Sequence, residues 1–380
     1  MKTVYLDNNA TTAMVPEAFE AMAPFYKDAY GNPSSGHRQG ARPAAALRQA
    51  RRTVARFLGC EAGEVVFTGS GTEADNLAIY GLVEGETGKL HFVTTAVEHP
   101  AVLKPLERLS AMGHEVSVLG VDRDGALDLD ELRAAVRDDT ALVSVMTANN
   151  ETGVLFPVAE VGAITRERGV LFHTDAVQAL GKIPFDMADI GADMTALSGH
   201  KFHGPKGVGA LVLRGSAPFH PLLLGGSQEQ GRRPGTENVA GIVALAAACA
   251  YAQEHLDAYG TRVRELRDRF EQGILSTVAD TYAHGAARER LPNTSNICFR
   301  GVDAQAMLLL LDEVGICATA GSACKSGAGE PSPVLAAMGV SREEAAASVR
   351  FSLSGLTTAS EVNYALERIP PIVTRMRERS

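Results

Sequence analysis

The stretch DMTALSGHKFHGPKGVG, residues 193–209, decides the fold of this chain. An apolar run that is typical of a buried strand ends at Leu197, and the polar turn after it holds Lys201. Glycines then lead into a second strand-like run. A lysine in a turn at the end of a buried strand loses hydration, which weakens its preference for the charged form. Such an amine could condense with a carbonyl group to form a Schiff base, although a lone turn lysine is more often solvated.

An acidic residue ends another strand-like run, in the sequence LFHTDAVQ of residues 171–178. Open α/β sheets bind ligands at the carboxyl ends of their strands, and Asp175 stands at such an end. Pyridoxal phosphate needs a lysine for its aldehyde and an acid that keeps its ring nitrogen protonated, and Lys201 and Asp175 are the candidates. By itself, Asp175 is better explained as the cap of a helix.

A glycine-rich turn, TGSGTEADN at residues 68–76, separates a strand-like run from a helix-like one. Glycines before a helix N-terminus expose backbone N–H groups, which suit a phosphate. Ser70 with Glu73 and Thr72 with Asp75 also fit capping boxes, so ordinary helix initiation explains this turn equally well. The lysine of a nucleoside-triphosphate loop does not follow these glycines, so that kind of site is excluded.

One cysteine stands among small residues and glycines, in ATAGSACKSGAGEP at residues 318–331. Most cysteines are buried and unreactive. This composition instead indicates an exposed loop, and Lys325 would favour the thiolate form of its neighbour Cys324. Cys324 is therefore the best candidate for a nucleophilic thiol.

The composition is that of an ordinary soluble globular enzyme, with 380 residues, 45% apolar and 21% charged. The net charge of −9, without a basic cluster, argues against nucleic acid as the main partner. The N-terminus has no long apolar signal core, and no stretch is long and apolar enough to predict a membrane span. Five cysteines without a CxxC pair suit a reducing compartment. We therefore expect a cytoplasmic protein without a membrane segment.

Strand-like and helix-like runs alternate through the first part of the chain, which predicts a mostly parallel, doubly wound, seven-stranded sheet. The two runs that flank the lysine turn are too close for a helical crossover, so one strand should be antiparallel. After Thr281 the pattern changes to shorter α+β units. We predict a large domain of residues 15–255 and a small domain of residues 1–14 and 256–380. The strand-like runs are Val65–Thr68, Leu90–Thr95, Glu115–Leu119, Ala141–Thr147, Val170–Thr174, Met194–Leu197 and Val208–Leu213.

These stretches, with LDNNATT at residues 6–12 and GGSQEQGRRPGTEN at residues 225–238, resemble the cysteine desulfurases. That family belongs to class V of the fold-type I pyridoxal-phosphate enzymes. The similarity runs from about residue 4 to about residue 365. The lysine stretch alone indicates the wider class, and the stretch around Cys324 narrows the resemblance to the NifS/IscS-like branch. A homodimer with shared sites and a pyridoxal 5'-phosphate cofactor are implied.

The resemblance also implies residue roles. Lys201 would hold the cofactor and move the substrate Cα proton, His99 would stack on the ring and act as an acid or base, and Cys324 would accept the sulfur as a persulfide. Asp175 would pair with the ring nitrogen and Gln178 with the ring oxygen. The other expected cofactor contacts are Gly71, Thr72, Asn150, Ser198, His200 and, toward the phosphate of the neighbouring subunit, Thr236. The expected substrate contacts are Asn8, Asn150 and Arg350.

The implied reaction takes sulfur from L-cysteine, leaves L-alanine, and passes the persulfide to an iron–sulfur scaffold or another acceptor protein. We expect no resident metal, since no ligand cluster surrounds His200 and His203. Cys324 could be an iron–sulfur ligand only transiently, together with a partner. Alternatives are a selenocysteine lyase, an aminotransferase, which would not need Cys324, and a non-enzymatic scaffold. The sequence leaves open whether the sulfur serves iron–sulfur assembly, nitrogenase maturation or tRNA thiolation.

Overall fold

The computed structural model describes residues 3–83, 88–215, 219–321 and 332–378. Within them the chain forms the predicted α/β fold around a seven-stranded sheet. Its strands, numbered in chain order, are β1 (Val4–Tyr5), β2 (Val65–Thr68), β3 (His91–Thr95), β4 (Glu115–Leu119), β5 (Thr140–Ser144), β6 (Leu171–Asp175), β7 (Met194–Ser198), β8 (Gly209–Leu213), β9 (Thr281–Ala283), β10 (Thr294–Phe299), β11 (Ile316–Cys317) and β12 (Ser348–Ser352).

The helices surround the sheet and fill the C-terminal part of the chain. In chain order they are α1 (Pro16–Met22), α2 (Pro24–Lys27), α3 (Arg38–Leu58), α4 (Gly71–Tyr80), α5 (Pro100–Ala111), α6 (Leu129–Ala135), α7 (Val158–Arg168), α8 (Met187–Ile190), α9 (Val239–Glu254), α10 (Leu256–Ala258), α11 (Arg264–Thr277), α12 (Ala304–Glu313), α13 (Pro333–Ala337), α14 (Arg342–Ala346) and α15 (Ala359–Arg377).

The large sheet has the strand order β2-β8-β7-β6-β5-β3-β4. Strand β8 runs antiparallel to β2 and β7, and the other pairs are parallel. The exception follows from the lysine turn, because Ser198 at the end of β7 pairs with Gly209 at the start of β8. So short a link cannot hold a helical crossover. The predicted antiparallel strand is confirmed.

Helices cover both faces of this sheet, because its central strands are apolar on both sides and every residue of β7 and β8 is buried. Helices α4 and α5 cover one face, and α3, α7 and α9 cover the other. The first two begin at the sheet's carboxyl edge. Ser70 accepts the N–H of Glu73 to cap α4, and His99 caps α5 just before Pro100. Both helix N-termini therefore lie beside the strand ends.

The largest apolar cluster lies in the sheet and its helices, and a second one joins the N-terminal arm (residues 3–14) to the C-terminal part of the chain. In this second cluster Val4 and Leu6 pack with residues from Tyr259 to Val373. Around this cluster lie the antiparallel sheet β12-β10-β9 and the parallel pair β1–β11. Residues of α13 and α14, including Val334 and Ala345, pack into the larger cluster instead. The predicted division into residues 15–255 and residues 1–14 with 256–380 remains a proposal.

The chain between Val239 and Thr277 forms a bent series of helices. The axes of Val239–Glu254 and Leu256–Thr277 differ by 59°. A π-helical turn at Tyr259–Val263 lies just after the bend, where helices commonly change direction. Among the described residues no single helix is long and apolar enough to span a membrane. The two helices of this bent pair, taken together, reach that length and apolar composition.

Candidate active site

A cavity of about 360 Å³ opens at the carboxyl edge of the large sheet. The N-terminal arm, the starts of α4 and α5, the ends of β6 and β7, and β12 all contribute to its walls. The structure brings most of the predicted site residues together here. Those that line it are Gly71, Thr72, His99, Asn150, Asp175, Gln178, Ser198, His200, Lys201 and Arg350.

Lys201 ends the short 3-10 turn Gly199–Lys201 that follows β7. Its Nζ donates to the backbone oxygens of Asn9 at 2.7 Å and Ala10 at 2.9 Å. The turn is tight, since a Cβ at Gly204 would lie 2.8 Å from the oxygen of Gly199. The amine is thus directed into the cavity by the turn and held there by the N-terminal arm.

Asp175 ends β6 and is 7% exposed. One carboxylate oxygen accepts the N–H of Val177 at 2.9 Å, so the residue caps the following turn and also lines the cavity. Burial raises the pKa of Asp175, and the nearby His99 and Lys201 oppose that shift. A protonated ring nitrogen would supply further positive charge, which fits the predicted cofactor.

Two more buried acids stand next to Asp175. Burial raises the pKa of Asp75 well above its usual range and that of Glu98 to about 8. Asp75 Oδ1 and Glu98 Oε2 have no hydrogen-bond partner among the described residues. Atoms of Asp75, His99 and Asp175 lie within 4.8 Å of one another. This acidic cluster beside the cavity is suited to a positively charged ring.

The N-terminus of α4 forms one end of the cavity. A Cβ at Gly71 would lie 2.9 Å from Val177 Cγ2 and 3.2 Å from Ser198 Cβ, so only glycine lets this helix approach the strand ends so closely. Thr72, Ser198 and His200 line the cavity there. Burial lowers the pKa of His200 to about 4, which makes it a neutral donor. A helix N-terminus with several polar side chains fits a phosphate group.

His99 serves as both a cap and a wall of the cavity. Its Nδ1 accepts the N–H of Ala101 at 3.1 Å, which leaves the ring proton on Nε2. Burial lowers the pKa of His99, so the neutral ring is favoured. A neutral imidazole beside Asp175 fits the predicted stacking and acid–base roles.

Arg350 lies in β12 and is 3% exposed. It donates to Asp7 Oδ1 and to the backbone oxygen of Asn150, each at 2.8 Å. Its buried Nε has no partner among the described residues. A fixed guanidinium with a spare N–H, next to Asn150 in the cavity wall, suits a carboxylate.

A family model for class-V aminotransferases matches residues 4–365. Curated relatives include a cysteine desulfurase of Trichormus azollae, 49% identical, and the cysteine desulfurase NifS of Azotobacter vinelandii, 47% identical. Each alignment covers 99% of this chain and 94% of the relative. This chain belongs to the cysteine desulfurase family. The predicted family is thereby confirmed.

Solved structures agree with this desulfurase fold. A NifS-like protein superposes with a TM-score of 0.93 at 38% identity, over 98% of this chain and 100% of that one. A structure titled SspA in complex with cysteine superposes with a TM-score of 0.84 at 33% identity, over 94% of this chain and 100% of that one. The expected fold-type I architecture is confirmed.

Cys324 of this desulfurase lies outside the described residues. Gly321 before it and Pro333 after it both line the cavity. Of the four cysteines in the described residues, none lines the cavity. Burial raises the pKa of all four thiols, that of Cys60 to about 12. These four are therefore poor thiolates at neutral pH.

Two predicted residues lie away from the cavity wall. Asn8 turns its amide toward the backbone oxygens of Ser352 at 2.8 Å and Tyr5 at 3.2 Å, while the adjacent Asn9 lines the cavity. Thr236 is exposed and lies outside the lining. The substrate role of Asn8 and the role of Thr236 toward a neighbouring subunit stay predictions.

Sequence reasoning missed Asn9 and Lys182 and gave Asp75 and Glu98 no place in the site. Asn9 stood in the quoted arm, but its pattern did not separate it from Asn8. Asp75 was visible only as a possible capping partner, and Glu98 only as the residue before His99. Lys182 donates to Gln178 Oε1 at 2.7 Å. The available signal for it was its position four residues after Gln178, because side chains at that spacing meet where the backbone turns as in a helix.

Proposed function

We propose that this cysteine desulfurase binds pyridoxal 5'-phosphate and takes sulfur from L-cysteine, leaving L-alanine and a persulfide on Cys324. One observation carries the proposal: an amine, a buried acid and a helix N-terminus line a single cavity, as Lys201, Asp175 and the start of α4. Curated relatives with this sequence pattern are desulfurases, so the aminotransferase and selenocysteine lyase alternatives are not favoured.

The residues present fit the cofactor from end to end. Thr72, Ser198 and His200 would bind its phosphate, with the backbone N–H of Gly71. Asp175 would face the ring nitrogen, and Lys201 Nζ would be the point of covalent attachment. When bound, the cofactor would supply an electron sink for negative charge that develops at the substrate Cα.

The substrate carboxylate would be held at the other end of the cavity. Arg350 has a spare Nε donor, and its other nitrogens are fixed by Asp7 and Asn150. Because the guanidinium is immobile before the substrate arrives, little side-chain entropy is lost on binding. Its position would orient the Cα–H bond toward Lys201.

Proton movement would rest on Lys201 and His99. Lys201 Nζ would take the Cα proton, and the two carbonyl oxygens of the N-terminal arm would keep that amine directed at it. The neutral imidazole of His99 would hold a proton at Nε2, because Nδ1 is already an acceptor. Lys201 Nζ and His99 Nε2 would therefore be the atoms at which a proton is gained or lost.

Cys324 would be the sulfur acceptor. An S–S bond would form between its Sγ and the substrate sulfur while the Cβ–S bond of the substrate breaks, and protons return to the remaining carbon skeleton to give alanine. No external oxidant is needed, since a thiol and cysteine are converted to a persulfide and alanine. The position of Gly321 and Pro333 on the cavity wall supports this role, as do the raised pKa values of the other thiols.

A homodimer and a sulfur-acceptor protein complete the proposal. Leu224 is 85% exposed, and Leu222 and Leu223 beside it are exposed as well. This apolar stretch precedes Thr236, which would reach the phosphate in the neighbouring subunit. The acceptor would be an iron–sulfur scaffold or another thiolation partner. Light scattering of the purified protein should give twice the mass of one chain, and a monomer that keeps full turnover would contradict the shared site.

The first experiment is the absorbance spectrum of the purified protein before and after L-cysteine, with alanine and sulfide assayed under a reductant. A visible cofactor band that changes on addition of cysteine, with equal alanine and sulfide, is expected. A band without sulfide would keep the cofactor and reject the desulfurase reaction. A protein that shows no band after reconstitution with pyridoxal 5'-phosphate would contradict the assignment of Lys201.

A further inference from the structure

Lys182 is a second buried lysine close to the site: it does not line the cavity, but it contacts Gln178 and Asn9, which do. It is 2% exposed and lies in the turn after β6. Its Nζ donates to Gln178 Oε1 at 2.7 Å and to Asn9 Oδ1 at 3.3 Å. A lysine at such depth is uncommon, because removing an ammonium group from water is costly.

The surroundings of Lys182 do not neutralise it. Both acceptors are uncharged amide oxygens, and the charged groups that act on it are Lys201 and Arg350, which are also basic. Burial lowers the pKa of its amine well below the usual range. An apolar side chain would fill this space at less cost, so the amine must contribute through what it holds.

One group that it holds is the side-chain amide of Gln178. The amine donates to the oxygen Oε1 of this amide at 2.7 Å. Nε2 then points the other way and donates to the backbone oxygen of Asn9 at 2.9 Å. The second N–H of Nε2 has no partner among the described residues and is available to a ligand, because Gln178 lines the cavity. Without the amine, Oε1 would lose this partner, and the amide would be held in its orientation only by the bond from Nε2 to the Asn9 oxygen.

The other group is Asn9, which ties the arm to the rest of the site. Its Oδ1 accepts from Lys182 and from Asn293 Nδ2 at 3.1 Å, and its Nδ2 donates to Thr294 Oγ1 at 2.9 Å. Its backbone oxygen accepts both Lys201 Nζ and Gln178 Nε2. The two amides are therefore locked against each other, and Lys182 touches both.

We propose that Lys182 is a positioning residue that fixes the amide of Gln178 so that an N–H, and not the oxygen, faces the ring oxygen of the cofactor. The inference rests on the proposed function, since it requires pyridoxal 5'-phosphate in this cavity. An N–H directed at the ring oxygen stabilises its anionic form, whereas an amide oxygen in that place repels it. Lys182 thus acts on the cofactor through Gln178.

The test is a pH titration of the visible absorption band in four holoproteins: wild type, Lys182→Met, Gln178→Met and the double variant. Lys182→Met and Gln178→Met should each raise the pH midpoint of the band by about half to one pH unit, which is the effect expected from the loss of one hydrogen bond. The double variant should match Gln178→Met, because Lys182 acts only through that amide. Lys104→Met, which changes an exposed lysine of α5, is the matched control and should leave the midpoint unchanged.

Three results would overturn the proposal. An unchanged midpoint in Lys182→Met, with only a lower melting temperature, would leave the lysine a purely structural role. Additive shifts in the double variant would mean that the lysine acts as a charge and not through Gln178. A wild-type protein without a visible band would reject the proposed function itself. Lys182→Gln, which keeps an N–H donor, should restore part of the wild-type midpoint and serves as the second variant if Lys182→Met does not fold.

Discussion

The two ends of the cavity carry charge in different ways. At the acid end, formed by Asp75, Glu98 and Asp175, burial raises the pKa of every carboxyl group. At the arginine end, the guanidinium of Arg350 is paired in advance with the carboxylate of Asp7. Burial therefore opposes ionisation at the acid end, while the guanidinium at the arginine end is already held in an ion pair. Substitutions at the two ends should therefore affect different steps.

Replacement of the cavity lysine, Lys201, which belongs to neither end, should have the largest effect on turnover. Lys201→Ala removes both the proposed point of cofactor attachment and the proposed base, so turnover should fall at least about 10³-fold. Alanine formation from L-cysteine measures this loss, and an unchanged melting temperature would show that the fold is intact. Residual activity above one per cent of wild type, by the same assay, would assign the proton transfer to another group.

Removal of the proposed nucleophile, Cys324, should stop sulfur transfer without disturbing the acid end or the arginine end. Cys324→Ala should keep the cofactor band and lower sulfide release by at least about 100-fold, since no described thiol lines the cavity. Cys317→Ala, a change at another thiol, is the matched control and should stay near wild type. Full sulfide release by Cys324→Ala would reject the assignment and would favour an aminotransferase-like reaction.

A change at the acid end should lower the rate more than the affinity. Asp175→Asn keeps the shape and the capping of the Val177 N–H but cannot ionise, so kcat should fall by about 100-fold, with KM within a factor of about three. Steady-state kinetics with L-cysteine and the position of the cofactor band measure both effects. An equal rise in KM without loss of kcat would place Asp175 at the substrate and not at the cofactor.

A change at the arginine end should show the reverse pattern. Arg350→Lys keeps the charge but loses the fixed fork of donors, so KM for L-cysteine should rise by about tenfold, and the cofactor band should not move. The same kinetic assay applies, and cysteamine, which lacks the carboxylate, should not distinguish the variant from wild type. A shifted band in Arg350→Lys would couple the two ends and break the comparison between them.

The smallest effect concerns stability. The pKa of Glu98 is raised to about 8 in the folded protein from the usual 4.5, so the folded state binds more protons between these values. Stability should therefore fall as the pH rises from about 5 to about 8, by roughly 1 kcal/mol or more from this residue. Glu98→Gln removes that loss. Chemical unfolding of both proteins at pH 5 and pH 8 should show a smaller decline in the variant than in the wild type, while the raised pKa values of Asp75 and Asp175 leave part of the decline in both.

Strand ends were predictable, and partners across the chain were not. Lys201 and Asp175 follow apolar runs, and the sheet rule places both at its carboxyl edge. The contact between Lys182 and Asn9 joins residues 173 positions apart, so no local pattern could reveal it. Asn8 and Asn9 are chemically alike, and the turn that begins at Asp7, with Ala10 N–H donating to the Asp7 oxygen at 3.0 Å, decides which one lines the cavity. The burial that raises the pKa of Asp75 and Glu98 likewise depends on tertiary packing.

The closure of the site by the N-terminal arm has a consequence for synthesis on the ribosome. The N–H of Asn9 donates to Ser352 Oγ, a partner 343 positions away, and β1 pairs with β11. The arm leaves the ribosome long before the strand that anchors it. Lys201 therefore cannot acquire its final acceptors until β12 has been translated. Nascent chains that stop before Ser352 can contain the whole large sheet while the N-terminal arm, which supplies the acceptors of Lys201, is not yet anchored.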